Sequence, residues 1–258
     1  VFVPTSEENG FKMRMEALRS AVTPRTKALV LCNPCNPTGA VLTKEDILAI
    51  AKVAKTHDLW VLTDEPYDAI VYDGIQPYSM AQVPEMQDRV MVLNSFSKSY
   101  AMTGFRIGYA CGPRDVIKGM VNYQSQATSA PNTAAQHAAA VALTMPQDCV
   151  EEMRKAFEQR RDRLVELINA IPGLSCRKPH GAFYVMMNIR GITGKRYHGK
   201  VLGGSTAIAE ALLEHAHVAL VPGAAFLDEG FCRISYATSM ENIEEGLRRI
   251  AAFVKELE

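Results

Sequence analysis

VMVLNSFSKSYAMTGFRIGYACG, residues 90–112, is the stretch on which the reading of this chain turns. It opens on an apolar run, residues 90–93, then becomes abruptly polar at Asn94, Ser95, Ser97, Lys98 and Ser99. Gly104, Arg106 and Gly108 follow, and a second apolar run covers residues 107–111. A buried strand that ends in small hydroxyl residues and one lysine is not what packing alone requires, because lysine is almost never fully buried without a partner. A lysine amine becomes a useful nucleophile where desolvation or a neighbouring cation lowers its pKa. Two serines, one lysine and one arginine at this spacing suit an anionic ligand that also carries a carbonyl: hydroxyls and guanidinium for a phosphate, the amine for the carbonyl.

Upstream, the pattern repeats. Residues 28–31 are apolar and end at Asn33-Pro34-Cys35-Asn36-Pro37-Thr38-Gly39, a loop composition. Thr43 is a good N-cap before Lys44, Glu45 and Asp46, and Ile47, Ile50, Ala51 and Ala54 give the following helix one apolar face. Residues 60–63 form the next strand and end at Asp64. Strands alternating with helical stretches predict βαβ units and a mainly parallel sheet, an α/β fold. In such sheets ligands bind beyond the carboxyl ends of strands. Asn36, the segment from Asp64 to Tyr67, and the segment from Ser95 to Lys98 lie at three such ends and are expected to share a crevice.

Downstream, the periodicity predicts a helix from Pro113, a polar loop at residues 124–129 and an alanine-rich helix to about Ala142. A long helix follows over residues 147–171, with Met153, Phe157, Leu164, Leu167 and Ile168 inward. Then come a strand at 182–189, a loose glycine-containing segment at 190–204, a helix at 205–215, strands at 218–221 and 231–236, and a final helix from about Ser239. The reading divides the chain into a large domain, residues 1–145, and a smaller C-terminal α+β domain, residues 146–258.

The totals exclude several classes. The 258 residues carry 28 basic and 28 acidic side chains, so nothing favours nucleic acid or an anionic membrane. No apolar stretch approaches a bilayer span, and the N-terminal VFVPTSEENGF has no basic start or apolar signal core, so a cytoplasmic protein is expected. Cys32 and Cys35 form a C-x-x-C, but no second pair of ligands lies at zinc-site spacing, and free thiols in a reducing compartment are expected.

The segment S-x-S-K-x-x-x-x-x-G-x-R-x-G resembles the lysine segment of fold-type I pyridoxal-phosphate enzymes, specifically the class I and II aminotransferases. N-P-C-N-P-T-G at 33–39, T-D-E-P-Y-D-A-I-V-Y at 63–72, P-H-G-A-F-Y at 179–184 and F-C-R-I-S-Y-A-T-S at 231–239 resemble further motifs of the same family, in order and over nearly the whole chain. The resemblance implies pyridoxal 5'-phosphate as cofactor, with Lys98 as the residue joined to its aldehyde and as proton carrier. It implies that Asp64 pairs with the pyridine nitrogen, that Tyr67 and Asn36 bond the phenolic oxygen, and that Ser95, Ser97 and Arg106 contact the phosphate. It gives Arg233 the substrate α-carboxylate, with Gly181 allowing close approach of substrate. Amino acid and 2-oxo acid substrates and a homodimer follow from the same likeness.

Family members carry a substantial N-terminal portion ahead of the region matching Val1. It supplies a glycine-rich phosphate turn, a ring stacked on the cofactor, part of the small domain and a tyrosine that reaches the partner subunit's phosphate. The chain is therefore expected to be a fragment or a truncated homologue. Each missing charge-assisted contact is worth about 1.5–3 kcal/mol, so the chain alone is expected to bind cofactor poorly and to be inactive or nearly so. Two other readings share these residues: a carbon–sulfur β-lyase of the same fold, and the aminotransferase-like effector domain of a transcription regulator. A non-catalytic scaffold is disfavoured by the intact Asp64, Tyr67, Lys98 and Arg233.

Overall fold

The computed structural model describes residues 1–258. The chain forms two compact units: Val1–Cys35 with Ala40–Glu152, and Asn36–Gly39 with Met153–Glu258.

The first unit contains, in order, α1 (Met15–Ala21), β1 (Ala28–Cys32), α2 (Lys44–Thr56), β2 (Trp60–Asp64), β3 (Val90–Ser95), α3 (Phe96–Ser99), β4 (Gly108–Cys111), α4 (Arg114–Ala127) and α5 (Thr133–Thr144). The sheet order is β1-β2-β3-β4. β1, β2 and β3 run parallel, with Cys32 opposite Asp64 and Asp64 opposite Leu93, so their carboxyl ends lie side by side. α2 starts as the sequence predicts: Thr43 and Asp46 form a reciprocal capping box. Its buried Ile47, Ile50, Ala51, Val53 and Ala54 pack with Leu31, Val61 and Val90. Each large aliphatic side chain so buried contributes roughly 1.5–3 kcal/mol, which anchors one face of the sheet and leaves its strand ends to be set by polar contacts.

The sheet is mainly parallel, as expected, with β4 the exception, and one expected boundary moves. β4 is antiparallel to β3, with Ser95 opposite Gly108. Only a single-turn helix and a short 3₁₀ turn separate the strands, and a parallel return needs a longer crossover. α4 continues through Ala127, so the predicted polar loop begins only at Thr128. Polar residues on a solvated helix do not break it, and Ser125 Oγ satisfies itself by donating to Asn122 O at 2.8 Å.

The second unit is an α+β arrangement. α6 (Asp148–Asn169) is followed by β5 (Ser175–Cys176), β6 (Tyr184–Asn188), β7 (Arg196–Tyr197), β8 (Lys200–Val201), α7 (Ser205–Ala216), β9 (Val221–Pro222), β10 (Phe231–Ser235) and α8 (Met240–Lys255). Its antiparallel sheet has the order β5-β6-β10-β9. Phe157, Leu164 and Ile168 of α6 and Ile243, Leu247, Ile250, Phe253 and Val254 of α8 are buried, close to the predicted faces. The segment expected to be loose, 190–204, contains the hairpin β7–β8. It is held by reciprocal backbone bonds between Arg196 and Glu258, each 3.0 Å, which the terminal position of Glu258 conceals from any local pattern. The strand expected at 218–221 shrinks to β9, because His217 turns left-handed and Val218 N still bonds Leu212 O of α7. No helix is long and apolar enough to cross a membrane.

Candidate functional site

In the first unit, six of the residues singled out from sequence lie on neighbouring strand ends. Asp64 closes β2, and Tyr67 sits in the turn that follows, 3% exposed. Ser95 closes β3 and caps α3, its Oγ accepting from Ser97 N at 3.1 Å. Lys98 lies on α3 and is half-buried. Arg106 is exposed, just before β4, and adopts a left-handed conformation (φ 51°) while Nη1 donates to Thr103 O at 2.9 Å. The antiparallel return of β4 brings it to the Ser95 end of β3. Gly108 makes that return possible, since a Cβ there would lie 2.5 Å from Asn94 O.

The electrostatics of this region are those of crowded carboxylates. Asp64 is open on one side yet partly desolvated, and burial pushes its carboxyl above the usual range. Burial also pushes Glu65 up, against the hydrogen bonds donated by Thr63 Oγ1 and Ser79 Oγ, both 2.8 Å, and with the charges of Asp68 and Asp64 adding to the rise. A cation placed at Asp64 relieves this strain.

The sign of the Asp64 shift yields a prediction. A carboxyl whose folded pKa is raised costs stability above that pKa and costs nothing below its unfolded value of about 4. Asp64→Asn is therefore expected to raise the melting temperature of the cofactor-free protein at pH 7, with the gain fading as the pH falls toward about 4. Differential scanning calorimetry across that range checks it; a variant less stable than the parent at pH 7 contradicts the assignment.

Asn36, Gly181 and Arg233 come together in the second unit. Arg233 lies on β10, and its Nη1 donates to Asn36 Oδ1 at 2.8 Å. The guanidinium is held over the Tyr184 ring at 4.4 Å and the Phe226 ring at 5.1 Å, contacts that fix its plane. Its Nε is buried without an acceptor, a state that costs free energy until something fills it. Gly39 O accepts from His180 N at 3.0 Å and Gly181 N at 2.9 Å. A Cβ on Gly39, whose φ is +65°, would lie 2.4 Å from Pro179 Cβ, so only glycine lets the two loops close.

Several supporting residues escaped the sequence reading. Asn33 is buried; its N donates to Asp64 O at 3.0 Å and its Oδ1 accepts from Leu42 N at 2.9 Å, closing the base of the 33–42 loop. Both Asn33-Pro34 and Asn36-Pro37 bonds are cis. Arg161, on α6, is fully buried; it pairs with Asp162 at 2.8 Å and donates to Pro179 O at 3.1 Å, bracing the loop that carries Gly181. It shares the apolar stripe of Phe157, Leu164 and Ile168, and a charge at that helical spacing was the signal the sequence offered. All six cysteines are free, and Cys32 Sγ donates to Pro34 O at 3.5 Å.

An acid, a phenol, hydroxyls, an amine and a guanidinium on adjacent strand ends, with a plane-locked arginine in the second unit, match the resemblance read from sequence. The family model for aminotransferase class I and II covers residues 1–250. The chain belongs to that family. Among class I and II aminotransferases, the aspartate aminotransferase of Rhizobium meliloti (strain 1021) is 45% identical, over 98% of this chain and 62% of its own length. The aromatic-amino-acid aminotransferase 2 of Thermococcus litoralis is 42% identical, over 99% of this chain and 64% of its own. The crystal structure of the aspartate aminotransferase from Rhizobium meliloti superposes with a TM-score of 0.97 at 45% identity, over all of this chain and 65% of that one. The chain thus spans 62% and 64% of the length of these two curated relatives.

Proposed function

We propose that this protein is a pyridoxal-phosphate-dependent aminotransferase that moves an amino group between an amino acid and a 2-oxo acid. The observation that carries the reading is the set of side chains on the adjoining ends of β2 and β3: Asp64 and Tyr67 beside Ser95, Ser97 and Lys98, with Arg106 returned by β4. The donor set fits pyridoxal 5'-phosphate group by group. A carboxylate raised by burial suits a cationic ring nitrogen, Tyr67 suits a phenolate oxygen, and Ser95, Ser97 and Arg106 suit a phosphate.

When bound, the cofactor supplies an aldehyde and an electron-withdrawing ring that stabilises negative charge at the substrate α-carbon. Asp64 would hold the proton on the ring nitrogen. Lys98 would anchor the cofactor through Nζ, and its amine, when free, would take and return the substrate α-proton as a general base and acid. Tyr67 would donate to the phenolate oxygen. Arg233 clamps the α-carboxylate, for which its buried Nε–H lacks an acceptor. Gly181, which adds no side chain, leaves room for the substrate.

In this reading residues 1–145 act as the cofactor-binding large domain and residues 146–258 as the small domain. A homodimer is in keeping with α4, which buries no residue and exposes Met120, Val121 and Tyr123. A cytoplasmic setting is in keeping with six free thiols.

The test uses protein expressed from its complete reading frame and supplied with pyridoxal phosphate. Amine exchange from aspartate or phenylalanine, dependent on added 2-oxoglutarate, is the expected result. Pyruvate and ammonia released from a cysteine conjugate with no 2-oxo acid present would instead establish a β-lyase.

A further inference from the structure

Asp68 follows Tyr67 and has no part in the roles given above. Its carboxylate is half-buried and grips the lysine segment at two points. Oδ2 accepts from Asn94 Nδ2 at 2.9 Å, and Oδ1 accepts from Ser99 Oγ at 3.1 Å. Oδ1 also accepts from its neighbour's backbone, Ala69 N, at 2.8 Å, while Asp68 N donates to Glu65 O at 3.2 Å, so the carboxylate is itself held in one rotamer and one turn. Asn94 passes the constraint on: its Oδ1 accepts from Ser95 N at 2.6 Å. Ser99 is buried, and its Oγ also lies 3.2 Å from Pro66 O.

Asn94 and Ser99 bracket residues 95–98. The Asp68 carboxylate therefore ties both ends of the lysine segment to the turn that carries Asp64 and Tyr67. Backbone pairing links β2 to β3 only as far as Asp64 opposite Leu93, with Glu65 N on Leu93 O at 2.9 Å. Past that point side chains must hold the register, and Asp68 is the one that reaches both bracketing residues.

We propose that Asp68 is the positioning residue for Lys98, fixing its amine against Tyr67 and Asp64. The inference rests on the aminotransferase reading and deepens it. Such placement matters because a misplacement of about 1 Å can cost on the order of 100-fold in rate. Glu65, Tyr100 and Tyr109 face the same carboxylate; burial pushes all three toward their protonated forms, and the Asp68 charge adds to the rise. A substitution at Asp68 thus changes local charge as well as geometry. Ser99→Ala and Asn94→Ala each cut one tie and leave the carboxylate in place, which separates the two effects.

The experiment measures the pH titration of the visible absorption band of the cofactor-loaded protein, expressed from its complete reading frame, together with kcat and KM, for Asp68→Ala, Asp68→Asn, Ser99→Ala and Asn94→Ala. The expected result is a midpoint displaced by ~0.5 unit or more in Asp68→Ala, with a smaller displacement in Ser99→Ala and in Asn94→Ala. kcat should fall about 10-fold with KM within about 2-fold. Combining Ser99→Ala with Asp68→Ala should add nothing further, because Asp68→Ala already removes the tie that Ser99→Ala cuts. A band that titrates as in the parent in Asp68→Ala overturns the proposal. So does a parental titration in both single-tie variants, which also decides the matter if Asp68→Ala does not fold. Failure of the underlying reading looks different: the parent protein itself would form no Lys98-dependent band.

Discussion

Lys98→Ala is expected to remove the covalent link between protein and cofactor and to lower amine exchange by at least about 1,000-fold. The magnitude follows from the two tasks assigned to one amine. General acid–base transfer alone is worth about 100- to 10,000-fold, and loss of the anchoring bond adds to it. The fold should survive, because Lys98 is half-buried on a single-turn helix while Phe96 and Ser99, on either side of it, carry the burial. Surface-side substitutions of this kind usually change stability by no more than about 0.5 kcal/mol. Borohydride treatment of the loaded parent, followed by peptide mass spectrometry, should find the reduced cofactor on Lys98, and the variant should carry none. An added small primary amine should restore part of the rate, since the missing group is a proton carrier in a site that is otherwise intact. A variant that keeps a visible band and still fixes the cofactor to protein on reduction would sink the lysine assignment.

Much of this site was legible before any coordinates, and the reason is chemical. Asp64, Ser95 and Lys98 are polar residues at the ends of apolar runs, where packing gives them little purpose, so their types point to a ligand, whereas Arg233, in the middle of β10, was singled out through the family resemblance. The Thr43 cap was legible because capping depends on side chains within three positions. What stayed hidden depends on partners distant in sequence. Asp68 reads as one more acid in a turn until Asn94 and Ser99 are seen to converge on it. Arg161 falls on the apolar stripe of α6, but the acceptor that justifies a charge there, Pro179 O at 3.1 Å, lies 18 residues further along the chain. The direction of β4 is set by the brevity of its connection, and the end of α4 by the absence of any residue that forbids a helix at Gln124–Ala127. Local pattern identifies which residues want a ligand; it does not identify the residues that hold those in place.

Arg233→Ala is expected to raise KM for the amino acid by about 10- to 150-fold, the equivalent of about 1.5–3 kcal/mol for a charge-assisted pair. The geometry argues for the upper part of that range. Two rings and Asn36 Oδ1 already hold the guanidinium in one plane, so little entropy remains to be lost when a carboxylate docks. The buried Nε–H, unsatisfied at present, gains its acceptor in the same event. Arg233→Lys keeps the charge but loses the planar fork, and should recover only a minor part of the loss. The effect must also depend on the carboxylate of the substrate. For the parent, kcat/KM should fall steeply from an α-amino acid to the corresponding amine without the carboxylate; for Arg233→Ala the two should converge. If the variant slows both substrates by the same factor, Arg233 acts through the structure of β10 and its neighbours and not by gripping substrate.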